Sequence, residues 1–271
     1  MIHTISINDK NYPSYLKEIA DPPETLYAQG NLSLLDKPGL AMVGMRRCSK
    51  LGENLAFEWA RTLSRQGITI ISGLAFGIDA AAHRGAIKGS GKTIAVIPAC
   101  LPEITPRSHR KLANEILASG GLLLSEMNES RPPLKHEFLV RNRLVSGLSR
   151  GVLVVEAAHR SGALNTTNHA LDQNREVMAI PGRINDPCSQ GCNRLIQSGA
   201  ALVTRAQGVL KVLGLEWKDK PHLNLPVEQQ KIYNALAASP ESALQFPHAI
   251  LTQMELDGLL KRDAYGHYSV A

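Results

Sequence analysis

Between Leu40 and Leu213, short apolar runs alternate with helical stretches. The runs are LAMVG (40–44), ITIIS (68–72), TIAVI (93–97), LLLSE (122–126), VLVVEA (152–157) and EVMAI (176–180). Most lack the polar-every-second-residue pattern of a half-solvated strand. Strands of this kind are buried on both faces, as in a parallel sheet covered by helices. The stretches between them predict helices over about 50–66, 78–88, 108–119, 137–149, 163–173 and 192–198, the first with Leu55, Trp59 and Leu63 along one ridge. Strand–helix–strand repetition implies right-handed crossovers and a doubly wound α/β domain with a mainly parallel sheet.

The flanks read differently. Residues 1–39 hold short elements and the loop signals Asp21-Pro22-Pro23 and Lys37-Pro38-Gly39, which suggest an extension packed on the core. Residues 215–226 are polar with two prolines and read as a linker. After it, 227–239 patterns as a helix, and 249–270 as a helix followed by a hairpin turned at Gly266. Together they suggest a reduced winged-helix-like module at 227–271, with Leu256, Leu259 and Leu260 in its core. A chain of 271 residues has room for one large domain and such an appendage. With 44% hydrophobic and 20% charged residues, its composition is globular and excludes a disordered chain, a collagen-like fibre and a coiled coil. No run of about 18 apolar residues predicts a membrane span. The first residues lack the basic and apolar regions of a signal peptide, so a cytoplasmic location is the expectation. The net charge of +6 permits a polyanionic partner without requiring one. The four cysteines, Cys48, Cys100, Cys188 and Cys192, lack zinc-site spacing and read as small apolar residues.

In an open parallel sheet, ligands bind beyond the carboxyl ends of the strands. The loops there are Gly44–Ser49, Ser72–Gly77, Ala158–Gly162 and Pro181–Arg183, rich in Gly, Ser and Arg. Glycines admit close backbone approach, helix N-termini favour anions, and arginine grips phosphate in bidentate fashion. A dinucleotide fingerprint is absent: Arg46 stands at its second glycine, and Ser72-Gly73 stands where an acid would meet a ribose. Gly89-Ser90-Gly91-Lys92-Thr93 is not a P-loop, because it precedes a strand and position 86 is alanine. Ser161, His159, His169 and Asp172 lie close in sequence, and His83 and Asp79 on another helix, but there is no nucleophile elbow and no carboxylate pair at acid/base spacing. No catalytic set, metal site or cofactor is expected.

The segment 131–150 carries Arg131, Lys135, Arg141, Arg143 and Arg150 against one acid, Glu137. On a helix, Phe138, Arg141 and Asn142 share a face. A ring beside cations can stack a base and pair with phosphates, the minimum for holding single-stranded nucleic acid. The residues alone lean towards a plainer alternative, in which Phe138 is core and the arginines solvate a helix.

In order along the chain stand GMRRCSKLG, SGLAFGIDAAAH, SE at 125–126, F-x-x-RNR at 138–143, GLSRGVLVVEAAHRSGALNTT and AIPGRINDPCSQGCNRLIQSGA. This series resembles the DprA/Smf family of bacterial DNA-processing proteins. The resemblance implies an extended Rossmann-like domain followed by a small winged-helix-like one. It implies a homodimer that binds single-stranded DNA without strong sequence preference, and protects it. It also implies that such proteins load the recombinase RecA during natural transformation, alongside single-strand-binding protein, with no catalysis or cofactor. Carried over, Arg46 is a phosphate clamp, and Lys135 and Phe138 are the cation and stacking platform. Arg141 and Asn142 line the same pocket, Ser72, Gly73, Ser161 and Gly162 offer donors, and Asn165 belongs to the same constellation.

The chain departs from the family pattern in places. Phe76 replaces a usual arginine, which removes a cation but offers a second ring. Ala163 replaces a serine, and the middle of the winged-helix region is reduced, which turns that module from duplex reading towards a partner protein. A rival of another class is a Rossmann-like nucleotide sensor or hydrolase, in which Glu126 or Glu156 would serve as base. Another is an adaptor acting through residues 227–271.

Overall fold

The computed structural model describes residues 1–37, 39–89, 92–217, 226–238, 245–257, 259–263 and 266–270. They form two compact units, Met1–Trp217 and Lys218–Ala271. Most of the expected linker, and part of the Gly89–Thr93 turn, lie outside the described residues.

The first unit opens with β1 (His3–Ser6), α1 (Ser14–Lys17) and β2 (Thr25–Gly30), then a 3-10 turn at Leu32–Asp36. The alternating core follows: β3 (Gly39–Val43), α2 (Lys50–Arg65), β4 (Thr69–Ser72), α3 (Ile78–Gly89), β5 (Thr93–Val96), α4 (Arg110–Ala118) and β6 (Leu122–Ser125). It continues with α5 (Glu137–Gly147), β7 (Gly151–Val154), α6 (Gly162–Asp172), β8 (Glu176–Ala179), α7 (Gln190–Gln197), β9 (Ala201–Leu202) and α8 (Ala206–Val212). The nine strands form one sheet, ordered β1-β2-β6-β5-β4-β3-β7-β8-β9. Pairs from β6 through β9 are parallel; β1–β2 and β2–β6 are antiparallel.

Strands β3 to β7 are buried along their whole length, as unbroken apolar runs require. Ala41, Val43, Val152 and Val154 face one layer, which includes Leu16, Leu144, Val145, Ala163, Ala170 and Cys192. Leu40, Met42, Leu153 and Val155 face the other, with Ala56, Ala60, Leu63, Ala82, Val209 and Leu210. Helices α1, α5, α6 and α7 thus cover one face, and α2, α3 and α8 the other.

Residues 1–37 pack on the core through Ile5, Tyr12, Leu16 and Ile19. Tyr27–Gly30 hydrogen-bonds to Leu122–Ser125, and β1 adds outside it, so the segment lengthens the sheet.

The connection order sets where a ligand can enter. From β3 the chain steps outward through β4, β5 and β6, then returns to β7 on the opposite side of β3. The carboxyl ends of β3 and β7 therefore diverge into two crossovers and leave a crevice between them.

In the second unit, α9 (Val227–Ala238) and α10 (His248–Leu256) pack on an antiparallel hairpin of β10 (Leu260–Arg262) and β11 (Tyr268–Val270). Ile232, Leu236, Leu251, Met254, Leu260 and Tyr268 form its core. Gly266, at the turn, has φ +90°, a conformation glycine adopts without penalty. Leu259 packs on this core as expected, but Leu256 is 77% exposed.

Candidate nucleic-acid interface

Three strand-end loops are bolted together at the crevice. The Met45 amide donates to the Glu156 carbonyl (3.0 Å), joining the loops after β3 and β7. The Ile78 amide donates to the Met45 carbonyl (3.3 Å), joining those after β3 and β4. This closeness dictates Gly77, which has φ +72° and would place a Cβ 2.3 Å from the Met45 carbonyl oxygen.

Between these loops and α5 lies a cavity of about 380 Å³. Its walls include Arg46 from the loop after β3, and Gly73 and Ala75 from the loop after β4. Phe138, Arg141 and Asn142 come from α5, and Arg160, Ser161 and Gly162 from the loop after β7. The volume is in the range that holds a nucleotide-sized ligand. Ser161 caps α6, its Oγ accepting from the Ala163 amide (3.3 Å). The N-terminal end of α6 therefore opens on the cavity and favours an anion there. Gly162 is exposed, with open space where a side chain would stand.

The Arg46 guanidinium sits 5.5 Å from the centroid of the Phe138 ring. Phe138 is half-buried and walls the cavity, so the core reading of that ring does not hold. A cation on the ring leaves part of the aromatic surface and all the charge available to a nucleotide. Arg160, which also lines the cavity, is exposed.

Arg141 has a different environment. It is 4% exposed. Its guanidinium donates to the Gly73 carbonyl (2.7 Å) and to the Val96 carbonyl. Burial pulls it down to about 10 and nearby Asp79 opposes that shift, so it keeps its charge at neutral pH. Asp79 accepts from the amides of Gly73 (3.0 Å) and Ala75 (3.3 Å). Burial raises the Asp79 carboxyl, and the Arg141 charge opposes the shift. Arg141 thus lines the cavity while bracing the loop after β4 from behind. It also explains Gly73, because a Cβ there would lie 2.4 Å from the guanidinium.

Two expected donors face inward. The Ser72 hydroxyl donates to the Met42 carbonyl (2.7 Å) and is fully buried. The Gly73 amide goes to Asp79. Serine at 72 satisfies the sheet, and glycine at 73 makes room for Arg141. Asn165 stands behind the wall, accepting from Asn142 Nδ2 (3.1 Å) and orienting that side chain.

The basic segment 131–150 is mostly spoken for. Arg131 pairs with Glu137 (2.5 Å) and Glu129 (2.9 Å). Arg143 pairs with Glu126 (2.7 Å) and Asp21 (3.1 Å). Lys135 is exposed and precedes α5. Sequence reasoning noticed Arg160 in its loop but did not select it; its place after β7, at the reversal of strand order, was the available signal.

The two strand-end acids also have partners. Glu156 accepts from the Ser49 amide (2.8 Å) and the Ser49 hydroxyl (2.5 Å), closing the N-terminus of α2. Glu126 is held by Arg143. Neither is among the residues that line the cavity. Among the described residues, no group of His, Cys, Asp or Glu is arranged to hold a metal ion. The four cysteines are free.

Residues 3–214 match the profile of the family described as DNA recombination-mediator protein A. The chain belongs to that family. It is 46% identical over 217 residues to Protein Smf of Escherichia coli, an alignment covering 79% of this chain and 58% of that one. It is 46% identical over 207 residues to DNA processing protein DprA of Streptococcus pneumoniae, covering 76% of this chain and 73% of that one. The solved structure of the S. pneumoniae protein superposes with TM-score 0.74 and 44% identity, covering 80% of this chain and 75% of that one. DNA processing protein A from Helicobacter pylori, whose structure was solved to explain its single-stranded DNA binding mode, superposes with TM-score 0.69 and 32% identity. That superposition covers 79% of this chain and 95% of that one. The family match ends before the second unit. Among the described residues no helix is long and apolar enough to cross a membrane.

Proposed function

We propose that this chain binds single-stranded DNA in the cavity between β3 and β7 and presents it to a recombinase. The observation that carries the reading is Arg46 lying on the Phe138 ring at the mouth of a cavity that also opens on the N-terminus of α6. A base stacks on the ring; the flanking phosphate meets Arg46, Arg160 and the first turn of α6. Contacts of this kind address backbone and π-face, which every nucleotide offers, so strong sequence preference is not expected. A duplex hides its base faces and cannot use the ring.

Membership of the family supports the finer parts of the reading: a homodimer in the cytoplasm that protects incoming strands, displaces or shares them with single-strand-binding protein, and loads RecA during natural transformation. The role is one of binding, without catalysis or cofactor. A nucleotide-hydrolysing site would need a free base at the cavity; Glu126 and Glu156 are engaged elsewhere, and Asp79, which lines the cavity, is tied to the Gly73 and Ala75 amides.

Fluorescence anisotropy with single- and double-stranded oligomers of equal length, over a salt titration, tests the reading. Preference for the single strand is expected, with log affinity falling by about 0.7 per log salt for each phosphate neutralised. Equal binding to both forms, or stabilisation by a mononucleotide and none by oligo-dT, would overturn it.

A further inference from the structure

Phe76 holds a bulky ring 48% exposed. It is braced: the ring meets His109 edge-on, with centroids 4.6 Å apart and planes at 61°. His109 is itself buried, and its Nδ1 is fixed to the Leu74 carbonyl at 2.8 Å. A carbonyl only accepts, so Nδ1 carries the proton and the imidazole orientation is set. Phe76 therefore presents an aromatic surface backed by an immobile ring.

That surface walls a second hollow of about 120 Å³, with Thr105 and Pro106 beside it and Arg46 and Phe138 opposite. The size suits one nucleobase. The hollow shares Arg46, Gly73, Ala75 and Phe138 with the larger cavity, so the two are neighbouring chambers with Arg46 on their common wall.

We propose that the Phe76 hollow takes a second nucleobase, next in the strand to the base held against Phe138, with the phosphate between them on Arg46. The unit of recognition is then a dinucleotide step with one aromatic surface per base. This rests on the single-stranded DNA reading of the larger cavity and adds a subsite to it. Because the ring sits at the surface, its replacement should leave the fold intact, which an unchanged melting temperature verifies.

The test measures oligo-dT affinity by anisotropy for the wild type, Phe76→Ala and Phe138→Ala, with intact oligomers and with oligomers lacking alternate bases. Phe76→Ala should weaken binding of intact oligo-dT by about five- to 150-fold, the range for one lost stacked base. The loss should shrink when the bases are missing, because the ring then has nothing to hold. An oligomer carrying 5-iodouracil should photocrosslink to the peptide that contains Phe76. Wild-type affinity for Phe76→Ala beside a loss for Phe138→Ala overturns the second subsite and leaves the first standing. A loss that persists undiminished on the oligomer lacking alternate bases also overturns it. If both variants bind as the wild type does, the reading of the larger cavity falls too.

Discussion

The arginines in and around the cavity come from two kinds of place, and the two behave oppositely. On α5 and the segment before it, cations are dense in sequence and mostly committed: Arg131 to Glu137, Arg141 to backbone carbonyls, Arg143 to Glu126. In the strand-end loops they are sparse and exposed, as Arg46 and Arg160. A run of positive charge in a sequence is therefore a poor guide to free charge. A helix packed on the sheet spends its arginines on carboxylates and carbonyls, whereas the loops at the reversal of strand order are held by backbone hydrogen bonds and leave their arginine charges without an acidic partner among the described residues.

Removing the braced arginine should have the largest effect. Arg141→Ala strips the Gly73 and Val96 carbonyls of their partner and leaves Asp79 buried without its counter-charge. A loss of about 3–5 kcal/mol of stability in urea unfolding is expected, as for breaking a buried charged network. A melting temperature close to the wild type's, with DNA binding lost, would instead make Arg141 a ligand residue like Arg46.

A second buried group sharpens the same contrast through pH. Thr93 Oγ1 spends its proton on the Ile70 carbonyl (2.8 Å), so it accepts from His83 Nδ1 (2.8 Å), and the imidazole is neutral with Nε2 unpartnered. Burial holds His83 down at about 3, against 6.5 ordinarily. The unfolded chain then binds the proton first, so stability is full above about pH 6.5 and falls as pH drops towards 3. The His83 share of that loss is about 1.4 kcal/mol per pH unit, or roughly 2–3 kcal/mol between pH 6.5 and 4.5. His83→Asn should flatten the acid limb of a stability–pH curve by that amount; an unchanged limb would refute it.

Much of this was legible beforehand, and the exceptions share a cause. The buried parallel strands fall within about three residues of their apolar runs, because burial on both faces leaves few polar residues to confuse the pattern. The N-terminal strands β1 and β2 are not legible, because HTIS and TLYAQG are short and half-solvated, and β2 finds its partner, β6, almost a hundred residues on. Phe138, Arg141 and Asn142 sit on one helix, so their meeting was readable from spacing. The duty of Arg141 was not, since its acceptors lie 68 and 45 residues away. Ser72 and Gly73 look like loop donors in sequence, and only the sheet and the guanidinium beside them show why they are there.

The free cations should show the reverse pattern: normal stability and weaker binding. Arg46→Ala removes both the charge and its contact with Phe138, so a loss of about 1–2 kcal/mol in oligo-dT affinity is expected, with the salt slope reduced by about 0.7. Lys135→Ala loses one solvated charge and should change the slope similarly at a smaller cost.

Arg131→Ala is the smallest effect and the most exacting one for the contrast. Its charge is spent on Glu137 and Glu129, and Glu137 also accepts from the Leu134 amide (2.6 Å). Removing Arg131 frees two acids, Glu137 and Glu129, without removing a cavity-lining cation. Affinity should change by less than about 0.5 kcal/mol, with no fall in salt slope beyond error. A slope reduced as far as in Arg46→Ala would mean that the ion pair opens to release its arginine to the strand, and that the division between committed and free cations fails at that position.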